Sequence, residues 1–206
     1  MNDTITILQK EYNVSHETLS TLACRNTSGI KLLSENFKVS VIGSGASKGV
    51  DVEYFIPFPG TQRELQLRRE AYGLAPTLPV VGYFGRMSVD KGLYYLRAAS
   101  NELHLSNVAH QILLVGKDEL REPLRVFLAG FHAPNLYFVH TEEVRDAYWL
   151  LDYFCLPTLR EGFPNVVLEA AASAVPSVTT TATGAIDSVE NGKTGFTVPV
   201  GDANAF

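Results

Sequence analysis

Two short segments of the chain carry charged side chains in a spacing that could bind a phosphorylated ligand. The first, over residues 85–92, places Arg86 and Lys91 between an apolar run and a helical pattern. A helix N-terminus offers unpaired backbone N–H groups and the positive end of the helix dipole, and the two cations add fixed charge. The segment therefore predicts a diphosphate site. The alternative is a solvated basic turn in which Asp90 caps the helix.

The second segment spans residues 160–169 and combines a helix start with two carboxylates. Pro164 suits the first helical position, which leaves the N–H groups of Asn165 and Val166 free to bind phosphate. Glu169 could accept hydrogen bonds from ribose hydroxyls, and Glu161 could accept them from sugar hydroxyls. In the alternative interpretation, Glu161 is a capping carboxylate and Glu169 is a solvent-facing helical residue.

The elements that must position these residues follow an alternating pattern from residue 78 onwards. Short apolar runs bounded by turn residues alternate with helical spacing, which is typical of repeated βα units. Strands are predicted over 79–84, 111–115, 136–139, 153–157, 177–180 and 195–199, and helices over 91–103, 119–129, 142–150 and 165–173, with a short helical turn near 185–190. We expect an α/β fold with a Rossmann-like doubly wound parallel sheet, which binds ligands beyond the carboxyl ends of its strands.

The first 77 residues have a less regular pattern. A strand over 4–8, a helix over about 15–25 and a strand over 39–42 are predicted there, and the glycines and serines of 43–49 favour a loop. We expect residues 1–77 to be an entry segment that forms part of the core of a domain over 78–206. The chain ends at residues 201–206, where a turn leads towards a further helix, so we expect this domain to be truncated at its C-terminus.

Composition excludes several classes of protein. Hydrophobic residues make up 46% and charged residues 19% of the 206 positions, which is typical of a folded, water-soluble domain. The net charge of -5 argues against a large nucleic-acid-binding surface. Cys24 and Cys155 have no metal-binding spacing, which predicts no metal site and favours a reducing cytosol. No apolar run reaches the roughly 18 residues of a membrane span, so any membrane contact is expected to be peripheral.

The two charged segments, with the residues that follow them, resemble the family-4 retaining glycosyltransferases of the two-domain GT-B fold. The resemblance covers residues 79–202 and runs through Gly85-Arg86, Lys91-Gly92, Pro157-Thr158, Glu161-Gly162-Phe163-Pro164-Asn165, Leu168-Glu169-Ala170, Val175-Pro176 and Thr194-Gly195-Phe196-Thr197-Val198-Pro199. The sequences of residues 160–161 and 184–189 are similar to those of enzymes that build capsule, O-antigen or other lipid-linked bacterial glycans. Ala174 departs from the family, which usually has glycine there, and this puts the local turn geometry in doubt.

The resemblance implies a role for each matching position. Arg86 and Lys91 would bind the donor diphosphate and stabilise the leaving nucleotide, without a metal ion. Glu161 and Glu169 would match the two carboxylates of the family's E-x7-E motif, with Glu161 holding the donor sugar and Glu169 binding ribose. The implied catalytic residues are Glu161, Arg86 and Lys91. The other implied donor-binding residues are Gly162, Phe163, Pro164, Asn165 and Val166, and the implied base-binding residues are His140, Thr141 and Val144. A lone His140 at a strand end is more often structural than catalytic.

The resemblance also implies the function of the parent protein, which is retaining transfer of a hexosyl group from a nucleotide-sugar to a glycan or lipid-linked acceptor. UDP is the expected nucleotide, and the expected location is the cytoplasm, including the inner face of the membrane. The family's N-terminal acceptor domain has no counterpart in this sequence, so we expect little activity from this chain alone.

Three other functions remain open. One is a stand-alone nucleotide-sugar-binding part without transferase activity. Another is an epimerase or phosphorylase of the GT-B fold, although no lysine stands out as an anchor for pyridoxal phosphate. The last is a structural interaction module, for which the charged residues at two strand ends would meet by coincidence.

Overall fold

The computed structural model describes residues 49–120, 122–133, 136–139 and 144–206. The strands predicted over 4–8 and 39–42, the helix predicted over 15–25 and most of the glycine-rich loop lie outside these residues. Within the described part, no helix is long and apolar enough to cross a membrane.

The centre of the fold is a sheet of six parallel strands in the order β3-β2-β1-β4-β5-β6. The strands are β1 Val80–Phe84, β2 Gln111–Val115, β3 Leu136–Val139, β4 Tyr153–Leu156, β5 Ser177–Thr180 and β6 Gly195–Val198. All six predicted strands are confirmed to within one residue at each end. Continuous apolar runs carried this prediction, since every residue of β2 is buried.

The strand order identifies where a ligand would bind. β1 pairs with β2 on one side and with β4 on the other. Strands β1 to β3 therefore extend the sheet in one direction and strands β4 to β6 extend it in the other, so the strand order switches between β1 and β4. In doubly wound folds, this switch point opens a crevice at the carboxyl ends of the strands. The predicted Rossmann-like fold is therefore confirmed, and its crevice lies beside the segments that follow β1 and β4.

Two predicted helices begin later than expected. Residues 91–103 were predicted as one helix, but Val89–Lys91 form a 3₁₀ turn and α2 runs over Leu93–Leu105, because Gly92 adopts a left-handed φ of 68° between them. The helix predicted over 119–129 begins only at Leu124, as α3, Leu124–Ala129. Pro123 precedes it, and the residue before a proline is sterically disfavoured in the α conformation.

The other helices connect the later strands. The helix predicted over 142–150 is described from residue 144 onwards, and there it is shorter than predicted, as α4, Arg145–Tyr148. α5, Asn165–Ala172, is one residue shorter than predicted, and Pro164 is its N-cap instead of its first helical residue. The expected turn near 185–190 is a 3₁₀ helix over Ile186–Ser188.

A helix that the sequence analysis did not predict, α1, runs over Gln62–Ala71 in the supposedly irregular entry segment. Thr61 and Glu64 form a capping box at its start, and this Thr-x-x-Glu spacing was a usable sequence signature. Arg69, which is 4% exposed, anchors the helix to the sheet by donating to the carbonyl of Leu150 and to Asp152 at 2.8 Å. Asp152 also accepts from the N–H of Val80, at the start of β1. This part of the entry segment therefore packs on the sheet.

The turn after α5 resolves the doubt about Ala174. Ala174 adopts a φ of 60°, and its N–H and that of Val175 donate to the carbonyls of Ala171 and Ala170. These are the two bonds of a Schellman motif, whose left-handed position favours glycine. The left-handed turn that glycine would form is thus present, with alanine carrying the conformational strain.

Replacing Ala174 with glycine is expected to stabilise the protein. The left-handed conformation costs a residue with a Cβ about 1–2 kcal/mol, and glycine removes this cost. The greater conformational freedom of glycine in the unfolded chain offsets part of the stability gained. We expect Ala174→Gly to raise the free energy of unfolding by about 0.5–1 kcal/mol in urea denaturation. Ala171→Gly, at an exposed position inside the same helix, should lower it by about 1 kcal/mol. A loss of stability in both variants would contradict the assigned strain.

Candidate functional site

Three loops meet at the switch point, and hydrogen bonds join them to one another. The N–H of Leu159, in the loop after β4, donates to the carbonyl of Asp90, in the loop after β1. The Oγ1 of Thr180, at the end of β5, donates to the carbonyl of Thr158 at 2.6 Å. Since Thr158 and Thr180 are buried, these contacts are shielded from water. The loops are therefore fixed relative to one another.

Two glycines allow the closest approaches between these loops. A Cβ on Gly92 would lie 1.9 Å from the carbonyl oxygen of Pro157, and a Cβ on Gly184 would lie 1.5 Å from that of Gly162. Both glycines have left-handed φ angles, of 68° and 80°. No other residue fits either position without moving the neighbouring backbone. The loop that carries Glu161 is thus held by the backbone of the β5 loop.

Lys91 and Glu161 form an ion pair across the crevice. The Nζ of Lys91 lies 2.7 Å from Oε2 of Glu161, and their side chains are only 15% and 16% exposed. The other oxygen of Glu161 accepts from the N–H of Gly162 at 3.2 Å. Glu161 therefore does not cap the N-terminal N–H groups of α5, which was the alternative interpretation. The structure therefore brings together Lys91, one of the two predicted cations, and Glu161, the first of the two predicted carboxylates.

Arg86 lies at the rim of the same crevice and is 55% exposed. Its guanidinium contacts Glu119 at 2.8 Å and Asp90 at 3.9 Å. Asp90 is not a helix cap, since no side chain of the described residues caps the 3₁₀ turn or α2. Its carboxylate accepts from the hydroxyl of Ser88, and this bond, with the nearby cations, lowers the pKa of Asp90. The hydrogen bond from Arg86 likewise lowers the pKa of Glu119. A cavity of about 490 Å³ lies here, lined by Ser88, Val89, Asp90, Glu119, Leu159 and Arg160.

The N-terminus of α5 opens onto this region. Pro164 is buried, and Gly162, Phe163, Asn165 and Val166 are partly exposed. Within the described part of the chain, the backbone N–H groups of Asn165 and Val166 have no hydrogen-bond acceptor, and the buried Oδ1 of Asn165 has no donor. Groups of this kind can bind an anion at a helix N-terminus. The five residues predicted to cradle the donor are therefore contiguous with Glu161.

Glu169 lies in the middle of α5 and is half-buried instead of solvent-facing, so that alternative is wrong. Its Oε2 accepts from the hydroxyl of Tyr148 at 2.8 Å. Burial raises the pKa of Glu169, and the hydrogen bond from Tyr148 lowers it in part. A half-buried carboxylate without a cation partner among the described residues is costly to the fold and is typical of a binding role.

The raised pKa of Glu169 predicts a gain of stability when its charge is removed. The folded state binds the proton more tightly than the unfolded chain, so the ionised carboxylate costs stability above the unfolded pKa of about 4.3. We expect Glu169→Gln to melt at a higher temperature than the wild type at pH 7. The difference should shrink as the pH falls to about 4, where the carboxyl of the unfolded wild type becomes protonated. A variant that is less stable than the wild type at pH 7 would contradict this cost.

The predicted base-binding residues are only partly described. His140 and Thr141 lie outside the described residues, so their role stays a prediction. Val144 is half-buried, packs against the hydrophobic core and immediately precedes α4. Its carbonyl accepts from the N–H of Ala147.

Three residues of this region were missed by the sequence analysis. Tyr148 contacts Glu169, Glu119 contacts Arg86, and Gly184 packs on Gly162. Their partners lie 21, 33 and 22 positions away in the chain, and no local spacing indicates such contacts. Only the glycine, in a loop after a predicted strand, marked a place where backbone could approach closely.

The chain is similar in sequence to known proteins along most of its length. The chain is 34% identical over 177 residues to the capsular polysaccharide biosynthesis glycosyltransferase CapM of Staphylococcus aureus, covering 84% of this chain and 45% of that protein. It is 28% identical over 159 residues to a GDP-mannose-dependent alpha-mannosyltransferase of Corynebacterium glutamicum, covering 76% of this chain and 35% of that protein. The chain thus spans less than half the length of these relatives.

A solved structure shares both sequence and fold. The crystal structure of Anabaena HepE in complex with UDP-glucose has a TM-score of 0.63 and 25% identity, over 76% of this chain and 43% of that one. Residues 78–206 match the Glycosyl transferases group 1 family, and they contain β1 to β6, Arg86, Lys91, Glu161 and Glu169. The chain therefore belongs to the Glycosyl transferases group 1 family.

Proposed function

We propose that this chain is the donor-binding part of a nucleotide-sugar-dependent, retaining glycosyltransferase. The parent enzyme transfers a hexosyl group to a glycan or lipid-linked acceptor in cell-surface polysaccharide synthesis. The observation that carries this proposal is the convergence of Arg86, Lys91 and Glu161 at the switch point, beside the free N-terminus of α5. Residues 78–206 form the donor domain in this proposal, and residues 1–77 lead into it.

Each side chain has a role that follows from its charge and position. Arg86 and Lys91 bind the diphosphate and stabilise the negative charge that develops on the leaving nucleotide. Glu161 accepts hydrogen bonds from the sugar, next to the diphosphate. Glu169 accepts them from the ribose, and it lies just over one helical turn after the first residue of α5. Val144, with His140 and Thr141, contacts the base.

The proposed reaction needs no metal ion, because two cations and a helix N-terminus supply the positive charge at the phosphates. We expect the transfer rate of the parent enzyme to be unchanged by EDTA. Loss of transfer in EDTA, restored by a divalent cation, would refute this part of the proposal.

UDP is the proposed nucleotide, since the structure of HepE holds UDP-glucose. GDP is the main alternative, because a relative is named as dependent on GDP-mannose. Calorimetric titration with UDP, GDP and ADP distinguishes them. We expect micromolar to millimolar binding of one nucleotide, which corresponds to about 4–8 kcal/mol.

Variants connect such binding to the proposed site. Arg86→Ala and Glu169→Ala should each abolish measurable binding while the protein stays folded. Arg125→Ala, an exposed arginine of α3, and Glu102→Ala, an exposed glutamate of α2, serve as matched controls and should bind like the wild type. Binding that survives in both site variants would place the nucleotide elsewhere. A second candidate function, a stand-alone binding protein without transfer, would bind the nucleotide-sugar but transfer no sugar when expressed from its complete coding sequence.

A further inference from the structure

Tyr148, the last residue of α4, is held rigidly beside the proposed ribose site. Its side chain is fully buried. Three aromatic rings pack around it, those of Phe84, Phe55 and Phe154, with centroid distances of 4.4, 5.7 and 5.8 Å. A ring enclosed in this way keeps one orientation, so the position of its hydroxyl is fixed by the core.

The hydroxyl of Tyr148 has one proton and two acceptors within reach. Oε2 of Glu169 lies at 2.8 Å, and the carbonyl oxygen of Val166 lies at 3.1 Å. Hydrogen bonds to a charged acceptor are shorter and stronger than those to a neutral one. The proton therefore goes to Glu169, and the rigid ring fixes one oxygen of that carboxylate.

The second oxygen of Glu169 is left for another donor. Among the described residues, no hydrogen bond or ion pair to Oε1 is found, and the residue is half-buried. A carboxylate bound on one side and open on the other can accept a hydroxyl in a fixed direction. Without the bond from Tyr148, Glu169 would have more rotamer freedom and a still higher pKa, because burial alone would then act on it.

We propose that Tyr148 is a positioning residue, which holds one oxygen of Glu169 so that the other accepts hydrogen bonds from the ribose of the donor. This proposal rests on the proposed function, in which Glu169 binds ribose. It assigns to α4 a second task beside that of Val144, which precedes it near the base. The residue before this short helix then contacts the base, and the last residue of the helix positions the carboxylate that binds the ribose.

The test measures how well the protein distinguishes ribose from a sugar without hydroxyls. The wild type, Tyr148→Phe and Tyr94→Phe are titrated with UDP and with 2′,3′-dideoxy-UDP, and folding is checked by thermal unfolding. Tyr148→Phe keeps the ring and removes only the hydroxyl. Tyr94→Phe is the matched control, because it removes a tyrosine hydroxyl that donates to another carboxylate, Glu122, at 2.7 Å.

We expect the wild type and Tyr94→Phe to bind UDP more tightly than the dideoxy nucleotide. Tyr148→Phe should bind UDP about tenfold more weakly, as expected for weakening one charge-assisted hydrogen bond, with no change for the dideoxy nucleotide. Equal UDP affinity in Tyr148→Phe and the wild type would overturn the inference. An equal loss for both nucleotides would also overturn it, since this would show general damage to the pocket.

The outcome for the wild type separates this inference from the proposed function. If the wild type binds neither UDP nor another nucleotide, the proposed function fails and the ribose role of Tyr148 fails with it. If the wild type binds UDP and Glu169→Ala does not, but Tyr148→Phe binds normally, only the inference about Tyr148 fails. An NMR titration of the Glu169 carboxyl adds a readout without nucleotide, in which we expect a higher pKa in Tyr148→Phe. An unchanged pKa would overturn the proposed contact.

Discussion

Gly184→Ala is expected to disrupt the site from a neighbouring loop, without changing any charged residue. The added Cβ would lie 1.5 Å from the carbonyl oxygen of Gly162 and 2.9 Å from that of Glu161. The first distance is about 2 Å shorter than a normal van der Waals contact. Because both neighbours are backbone atoms, the loop that carries Glu161 must move. A displacement of roughly 1 Å should lower the transfer rate of the parent enzyme about 100-fold.

Gly192→Ala is a closely matched control for this experiment. Gly192 lies in the same connection between β5 and β6 and has a φ of 81°, against 80° for Gly184, but its Cβ would meet nothing within 4 Å. Both variants should lose about 1–2 kcal/mol of unfolding free energy from the left-handed backbone. Only Gly184→Ala should also lower the transfer rate of the parent enzyme. Equal activity in the two variants would show that the contact with Gly162 does not position Glu161.

Lys91→Ala is expected to remove both stability and nucleotide binding. The substitution leaves Glu161, which is 16% exposed, without its cation at 2.7 Å. Loss of such a charged hydrogen bond should lower the free energy of unfolding by about 1.5–3 kcal/mol. The uncompensated carboxylate would then also repel a diphosphate, so we expect calorimetry to detect no UDP binding.

A double variant separates folding from binding at this pair. Lys91→Met with Glu161→Gln removes both charges and keeps similar volumes, which is often neutral for stability when a shielded ion pair is replaced. We expect it to unfold near the wild-type midpoint in urea but to bind no nucleotide. Lys193→Ala, which breaks an exposed ion pair with Glu190, should change the unfolding free energy by less than about 1 kcal/mol and leave binding intact. Normal binding by the double variant would exclude Lys91 from the diphosphate site.

The sheet was predictable because local sequence patterns mark each of its strands. Buried parallel strands require consecutive apolar residues, as in β2, and turn residues mark their ends. Helix starts were less predictable, since the left-handed Gly92 separates the 3₁₀ turn from α2 and packs on the carbonyl of Pro157, which is distant in the chain. α1 had a local signature in Thr61 and Glu64. Its attachment to the sheet was not predictable, because it depends on the contact between Arg69 and Asp152, which is distant in the chain.

The site was predictable in its residues but not in its contacts. The positions of Arg86, Lys91, Glu161 and Glu169 relative to strand and helix ends follow from the alternating pattern. The pairing of Lys91 with Glu161, of Arg86 with Glu119 and of Glu169 with Tyr148 depends on which strands become neighbours. The sequence analysis gave no pairing of strands beyond a parallel sheet, so these partners became visible only in the folded chain.

A crystal structure of the chain with UDP would test the central claim most directly. The account predicts diphosphate oxygens about 3 Å from the side-chain nitrogens of Arg86 and Lys91, with the ribose hydroxyls on the free oxygen of Glu169. It also predicts that the Arg86 guanidinium turns from Glu119 towards the phosphates. A diphosphate bound away from both cations, or a ribose out of reach of Glu169, would contradict the account.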